Sequence, residues 1–86
     1  MACYNVMTVL TKNRIGSVPE LQNVLTRSGC MIKTRLGLHE AGEDFCSNEG
    51  LIILQLIGSD KEILELEESL NKIPGVKAKN NQICSD

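Results

Sequence analysis

Two short segments of this sequence, "GSVPEL" (Gly16 to Leu21) and "GSDKEI" (Gly58 to Ile63), carry the same pattern, Gly-Ser-x-x-Glu-apolar, 42 positions apart. Each reads as the start of a helix. Ser17 and Ser59 can accept from the backbone N–H three residues on, and Glu20 and Glu62 can reach back to the cap, so the pattern predicts two capping boxes. Pro19 fits a first helical turn, where its missing N–H has no helical partner. Behind the first start, Val18, Leu21, Val24 and Leu25 form one apolar stripe that should end at Gly29. Behind the second, Ile63, Leu66, Leu70 and Ile73 form another that runs to Pro74 and Gly75. Two amphipathic helices require an apolar surface to cover.

Strand candidates flank both helices: "CYNVMTVLT" (Cys3 to Thr11), "CMIKTRLGL" (Cys30 to Leu38), "LIILQLI" (Leu51 to Ile57) and "VKAKNNQI" (Val76 to Ile83). The order is strand, helix, strand, repeated once. In 86 residues, two such halves with right-handed crossovers interleave as a single ferredoxin-like βαββαβ domain spanning residues 1–86. It is an α+β fold with a four-stranded antiparallel sheet in the order 4-1-3-2 and both helices on one face. Residues His39 to Gly50, "HEAGEDFCSNEG", then form a long acidic hairpin loop.

Simple alternation puts Ile32, Leu36 and Leu38 on the helix-covered face and turns Lys33, Arg35 and His39 to the open one. The third strand is apolar at both parities, so burying one side leaves large aliphatics on the other. An open sheet face of that kind marks association. The expectation is a homo-oligomer, a dimer or tetramer, formed through the open face.

A chain of this length buries only roughly 60 to 65% of its unfolded surface, which also favours association. Its net charge of −2 and its two aromatic residues, Tyr4 and Phe45, argue against direct nucleic-acid binding. That function needs clustered Lys and Arg or a stacking platform. The longest apolar run, "LIIL", is far short of a membrane span, and no signal peptide is read, so a cytoplasmic protein is expected. Cys3, Cys30, Cys46 and Cys84 include no CxxC pair and in that compartment should be reduced thiols; Cys3 and Cys84 fall on neighbouring antiparallel strands and come close. No Ser-His-Asp set, phosphate loop or base-paired cysteine appears, so neither an enzyme nor a cofactor is expected.

Asn13, Arg14, Ile15, Gly16 and Ser17 sit where a strand meets a helix start, whose free N–H groups suit an anion such as a carboxylate. Gly16 allows close approach of a ligand to the backbone; a plain capped turn accounts for the same residues. Arg35 and His39 flank Gly37 beside the acidic loop, Arg35 being suited to pairing with a carboxylate and His39 to a pH-sensitive contact. A metal site using His39 with Cys46 or the terminal cysteines is a weaker reading, since the chain has one histidine.

The stretch "TKNRIGSVPELQNVL" resembles the opening of an ACT domain, and "LNKIPGVKA" is similar to that family's second-helix ending and last strand. Ile15 stands where proline is common in the family. More narrowly, "IKTRLGLHE", "LIILQL" and "KIPGVKAK" resemble the small proteins labelled iron-only hydrogenase system regulators, whose fold is similar to the ACT-like ligand-binding domain of the nickel-responsive repressor. The resemblance implies an oligomeric regulator, with Asn13, Arg14 and Gly16 lining an effector site at a subunit interface and amino acids as the commonest ligand class. A ligand-free module that docks a protein partner is the alternative.

Overall fold

The computed structural model describes residues 2–12, 14–39 and 50–85. Its elements are β1 (Cys3–Thr11), α1 (Arg14–Arg27), a 3-10 turn (Gly29–Met31), β2 (Ile32–His39), β3 (Gly50–Leu56), α2 (Asp60–Asn71) and β4 (Val76–Cys84). The sheet is antiparallel in the order β2-β3-β1-β4, the expected ferredoxin-like arrangement read from its other edge. Residues 40–49, which include Glu40, Glu43, Asp44 and Cys46, lie outside the described residues.

One parity of the sheet meets the helices. Met7 and Val9 of β1, Leu54 and Leu56 of β3 and Val76 of β4 are buried against Leu21, Val24 and Leu25 of α1 and against Ile63, Leu66 and Leu70 of α2. Each such side chain contributes about 1.5–3 kcal/mol by leaving water. Two polar residues share this buried parity of β1, Asn5 and Thr11.

The two helix starts differ despite their common pattern. Ser59 is the cap of α2: its hydroxyl accepts from Glu62 N–H at 3.1 Å, and its own N–H donates to Glu62 Oε1 at 3.0 Å. In contrast, α1 is already helical at Arg14, so Gly16 and Ser17 occupy its first turns and Pro19 lies inside it. The cause is tertiary. Lys12 N–H is held by the Gly75 carbonyl at 2.6 Å, which ends the strand at Thr11 and lets the helix begin before the local serine signal is reached.

A second departure lies in β2. The register slips between Ile32 and Thr34, so Lys33 is the extra residue of a bulge and every later residue changes face. Arg35 is therefore opposite Leu54 and Leu36 opposite Ile53, the reverse of the expected assignment. Arg35 reaches α1, where Nη1 donates to Gln22 Oε1 at 3.3 Å, and Leu36 stands 52% exposed on the open face.

Cys3 and Cys84 form a disulfide, with Cα atoms 3.9 Å apart, where free thiols were expected. The β1–β4 register sets the two residues directly opposite each other. Their sequence separation of 81 residues means the bond closes almost the whole chain into a loop, worth about 4 to 5 kcal/mol in the chain-entropy account. Cys30 is free and exposed.

Reduction of Cys3–Cys84 is expected to lower unfolding free energy by about 4 kcal/mol, read as a fall in the urea midpoint; an unchanged midpoint would show that the pairing is not formed in solution. Ser59→Ala is expected to cost about 1 kcal/mol. The Glu62 carboxyl is held below its ordinary 4.5, first by the Ser59 backbone N–H and then by the Ser59 side chain. A lowered folded-state pKa gives stability that is present above 4.5 and lost as pH falls through the lowered value, so Glu62→Gln should flatten the acid limb of a stability–pH curve. An acid limb identical to wild type would argue against the box.

Candidate functional site

The strand-to-helix corner is built from three chain segments. Thr11 ends β1 with 2% exposure, and its Oγ1 donates to the Gly50 carbonyl at 3.3 Å. The register runs from position 39 through Gly50 and Thr11 to Val76, one row across all four strands at this end of the sheet. Beyond it, Lys12 is tied to Gly75 and α1 begins. The first turn of α1 follows two residues past Lys12, and a helix N-terminus carries N–H groups without intrahelical partners.

Gly75 is what allows the corner to close. Its φ is +81°, and a Cβ there would stand 2.6 Å from the Lys12 carbonyl oxygen. Both the conformation and the contact exclude a side chain. From sequence, "PG" reads as a helix stop; its support of the opposite corner depends on a contact more than sixty residues away in the chain. Thr11 had a local signal, a polar residue on the parity of Met7 and Val9.

Asn13 lies outside the described residues, and for Arg14 to Ser17 the helical backbone is what the structure describes. Position 39 belongs to the same end through its pairing with Gly50. Arg35 does not: it is four residues back along β2, about 13 Å at strand rise, and is engaged by Gln22. Arg14 to Ser17 follow β1 at this end of the sheet, position 39 lies two strands across in the same end row, and Arg35 lies apart from both. Among the described residues no group of three or more His, Cys, Asp or Glu is placed to hold a metal ion. The disulfide also withdraws the Cys3 and Cys84 thiolates from the metal reading.

A polar clasp lies between α2 and β4. Asn5 Oδ1 accepts from Asn80 Nδ2 at 3.0 Å and from Gln82 Nε2 at 3.3 Å, and Gln82 Nε2 also donates to Asp60 Oδ1 at 3.0 Å. The Asn71 side chain mimics a neighbouring strand, accepting from Ala78 N–H at 2.8 Å and donating to Ala78 carbonyl at 2.9 Å. Glu67 Oε2 accepts from Asn80 N–H at 2.6 Å. These bonds occupy outward groups of an edge strand and so block pairing with another chain there. Asn80 Oδ1 is shut off from solvent without a partner.

Comparison with solved structures places this fold beside the uncharacterized protein TM1266 from Thermotoga maritima, with a TM-score of 0.83 at 20% identity, covering 96% of this chain and all of that one. A formyltetrahydrofolate deformylase from Pseudomonas putida KT2440 is similar at a TM-score of 0.56 and 14% identity, over 91% of this chain and 28% of that one. No protein-family model matches the sequence, and no curated protein does. Identities this low carry the fold alone. Among the described residues no helix is long and apolar enough to cross a membrane.

Gly75→Ala is expected to cost at least about 1–2 kcal/mol for the left-handed backbone, with a further loss from the Lys12 contact. Gly29→Ala, which meets nothing within 4 Å, is the control and should be near neutral. Equal urea midpoints for the two variants would refute the corner's dependence on Gly75.

Proposed function

We propose that this chain is a small ACT-like regulatory module that binds a small anionic effector, of the amino-acid class, at the corner where β1 runs into α1. The observation that carries the reading is the fixed helix start: α1 begins three residues after β1 ends, anchored by the Lys12–Gly75 bond. Its free N–H groups and positive dipole end favour a carboxylate. Asn13, Arg14, Ile15, Gly16 and Ser17 are the contact residues in this reading, with His39 two strands across at the same end of the sheet; Arg35 is released to its bond with Gln22. The module has no catalytic step of its own.

The resemblance to iron-only hydrogenase system regulators supports a role in controlling expression of such a system. With a net charge of −2, the chain would act on DNA through a more basic partner. Effector binding shifts assembly or partner binding only to the extent that the effector binds the two states with different affinity.

The test is a thermal-shift panel of amino acids, nucleotides and divalent metals on the full chain. A ligand at one hundred times its Kd adds about 2.7 kcal/mol, which for a domain of this size raises the Tm by roughly 10 °C or more. The expected result is such a rise with at least one amino acid, lost in Gly16→Val, which adds a branched side chain in the first turn of α1. No shift across the panel would overturn the reading, and a shift undiminished in Gly16→Val would move the site elsewhere.

A further inference from the structure

The open side of the sheet is organised in rows. Leu36, Ile53, Thr8 and Lys79 form one row across the four strands, and Thr34, Gln55, Val6 and Asn81 form the next. Leu51, Leu10 and Lys77 continue the face toward the α1 corner, and Tyr4 and Ile83 pair at the far end. Tyr4 is 55% and Ile83 64% exposed, since the helices cover the other side. The strand-paired residues of the face carry charge only on β4, at Lys77 and Lys79, beside a shallow depression that Thr8, Leu10 and Asn81 also line. The face is therefore apolar toward β2 and β3 and cationic along one edge.

We propose that this face packs on the same face of a second copy, with the twofold axis running parallel to the strands between β1 and β3. The proposal deepens the functional reading above and rests on it only in taking the module to work as an assembly.

Three observations select that occupant and arrangement. Strands about 4.8 Å apart and same-face residues about 6.8 Å apart give the face roughly 500 Å². Two copies then bury roughly 1,000 Å², the threshold of a specific interface. The sheet edges are poorer alternatives: α2 side chains occupy β4 at Ala78 and Asn80, and the bulge at Lys33 leaves β2 a regular edge only from Thr34 on. Charge then chooses the axis. An axis across the strands would stack β4 on β4 and gather four lysines at one edge of the sandwich. An axis along the strands lays β4 over the β2 of the other copy, sends the two lysine pairs to opposite edges and places each Lys79 above a Leu36, where its methylenes cover the leucine and its ammonium reaches water.

Sedimentation equilibrium and native mass spectrometry on the oxidised full chain, with no effector added, test this. Wild type is expected to be a dimer at micromolar concentration. Val6→Glu, near the axis, should be a folded monomer. Thr8→Glu, whose carboxylate lies beside Lys79 of its own sheet and so leaves the protomer's fold intact, should weaken the dimer at least tenfold and keeps the test open if Val6→Glu does not fold. Leu36→Glu decides the axis: beside the other copy's Lys79 it should dimerise more tightly in 50 mM than in 500 mM salt, on the order of several-fold. A monomeric wild type, or a dimer indifferent to Thr8→Glu, would overturn the interface. Leu36→Glu dissociating in low salt and recovering in high salt would overturn the axis. Because no effector is present, either failure is separate from the thermal-shift result at the α1 corner.

Discussion

Strand β1 is paired with β4 along its whole length and with β3 from Asn5 to Thr11, and the other elements take their positions from it. Its two ends are fixed by different chemistry. At the start, Cys3 is bonded to Cys84, and Ser85 N–H donates to the Ala2 carbonyl just outside the disulfide. At the finish, Lys12 is held by Gly75. A central strand tied at both ends cannot slip in register, and in a sheet with two working faces a slip of one residue would exchange core and surface completely. This is how a chain too small for a large core reaches a defined structure.

The consequence is a molecule with one finished side and one unfinished side. Met7 and Val9 of β1 enter a core closed by both helices, while Asn5 on the same side has an amide oxygen that serves Asn80 and Gln82. Even residues face outward with Leu36 and Ile53 beside them. The bulge at Lys33 contributes directly to that imbalance. Had β2 kept perfect alternation, Leu36 would have joined the core side and Arg35 the open face, leaving a cation at the edge opposite Lys79. By turning Leu36 outward the bulge extends the apolar surface to the outer strand and leaves the charged strand-paired residues of that face on β4.

The fold was legible because its strongest signals are local and repeated: two apolar helical stripes, four strand-like runs and the adjacency of the first and last strands, which also brings Cys3 near Cys84. The site was less legible because it rests on long-range contacts. Ser17 and Ser59 have the same local surroundings, yet only Ser59 caps a helix, since nothing in "GSVPEL" encodes the bond from Lys12 to Gly75. Arg35 was assigned to the wrong face for a related reason. Alternation assumes an unbroken register, and "IKTRLGL" contains no glycine or proline at Lys33 to announce the bulge. Gly75 was visible as a turn residue, but its second task appears only when the β1 corner is built against it.

The corner and the open face share strands, which bears on how a small effector would influence assembly. Thr11, Gly50 and Val76 form the last row of the sheet on the helix side, and their chain neighbours Leu10, Leu51 and Lys77 form the nearest row on the open side. Adjacent residues on a strand point to opposite faces but share a peptide plane, so a change in twist at the corner is felt at once on the other face. In the reading proposed here, an effector that tightens the first turn of α1 against Lys12 and Gly75 also fixes the end of the surface that meets the second copy. The two events are then linked by one rigid, doubly paired strand rather than by a relay of side chains. By linkage, dimerisation must raise effector affinity by the same factor that the effector strengthens the dimer.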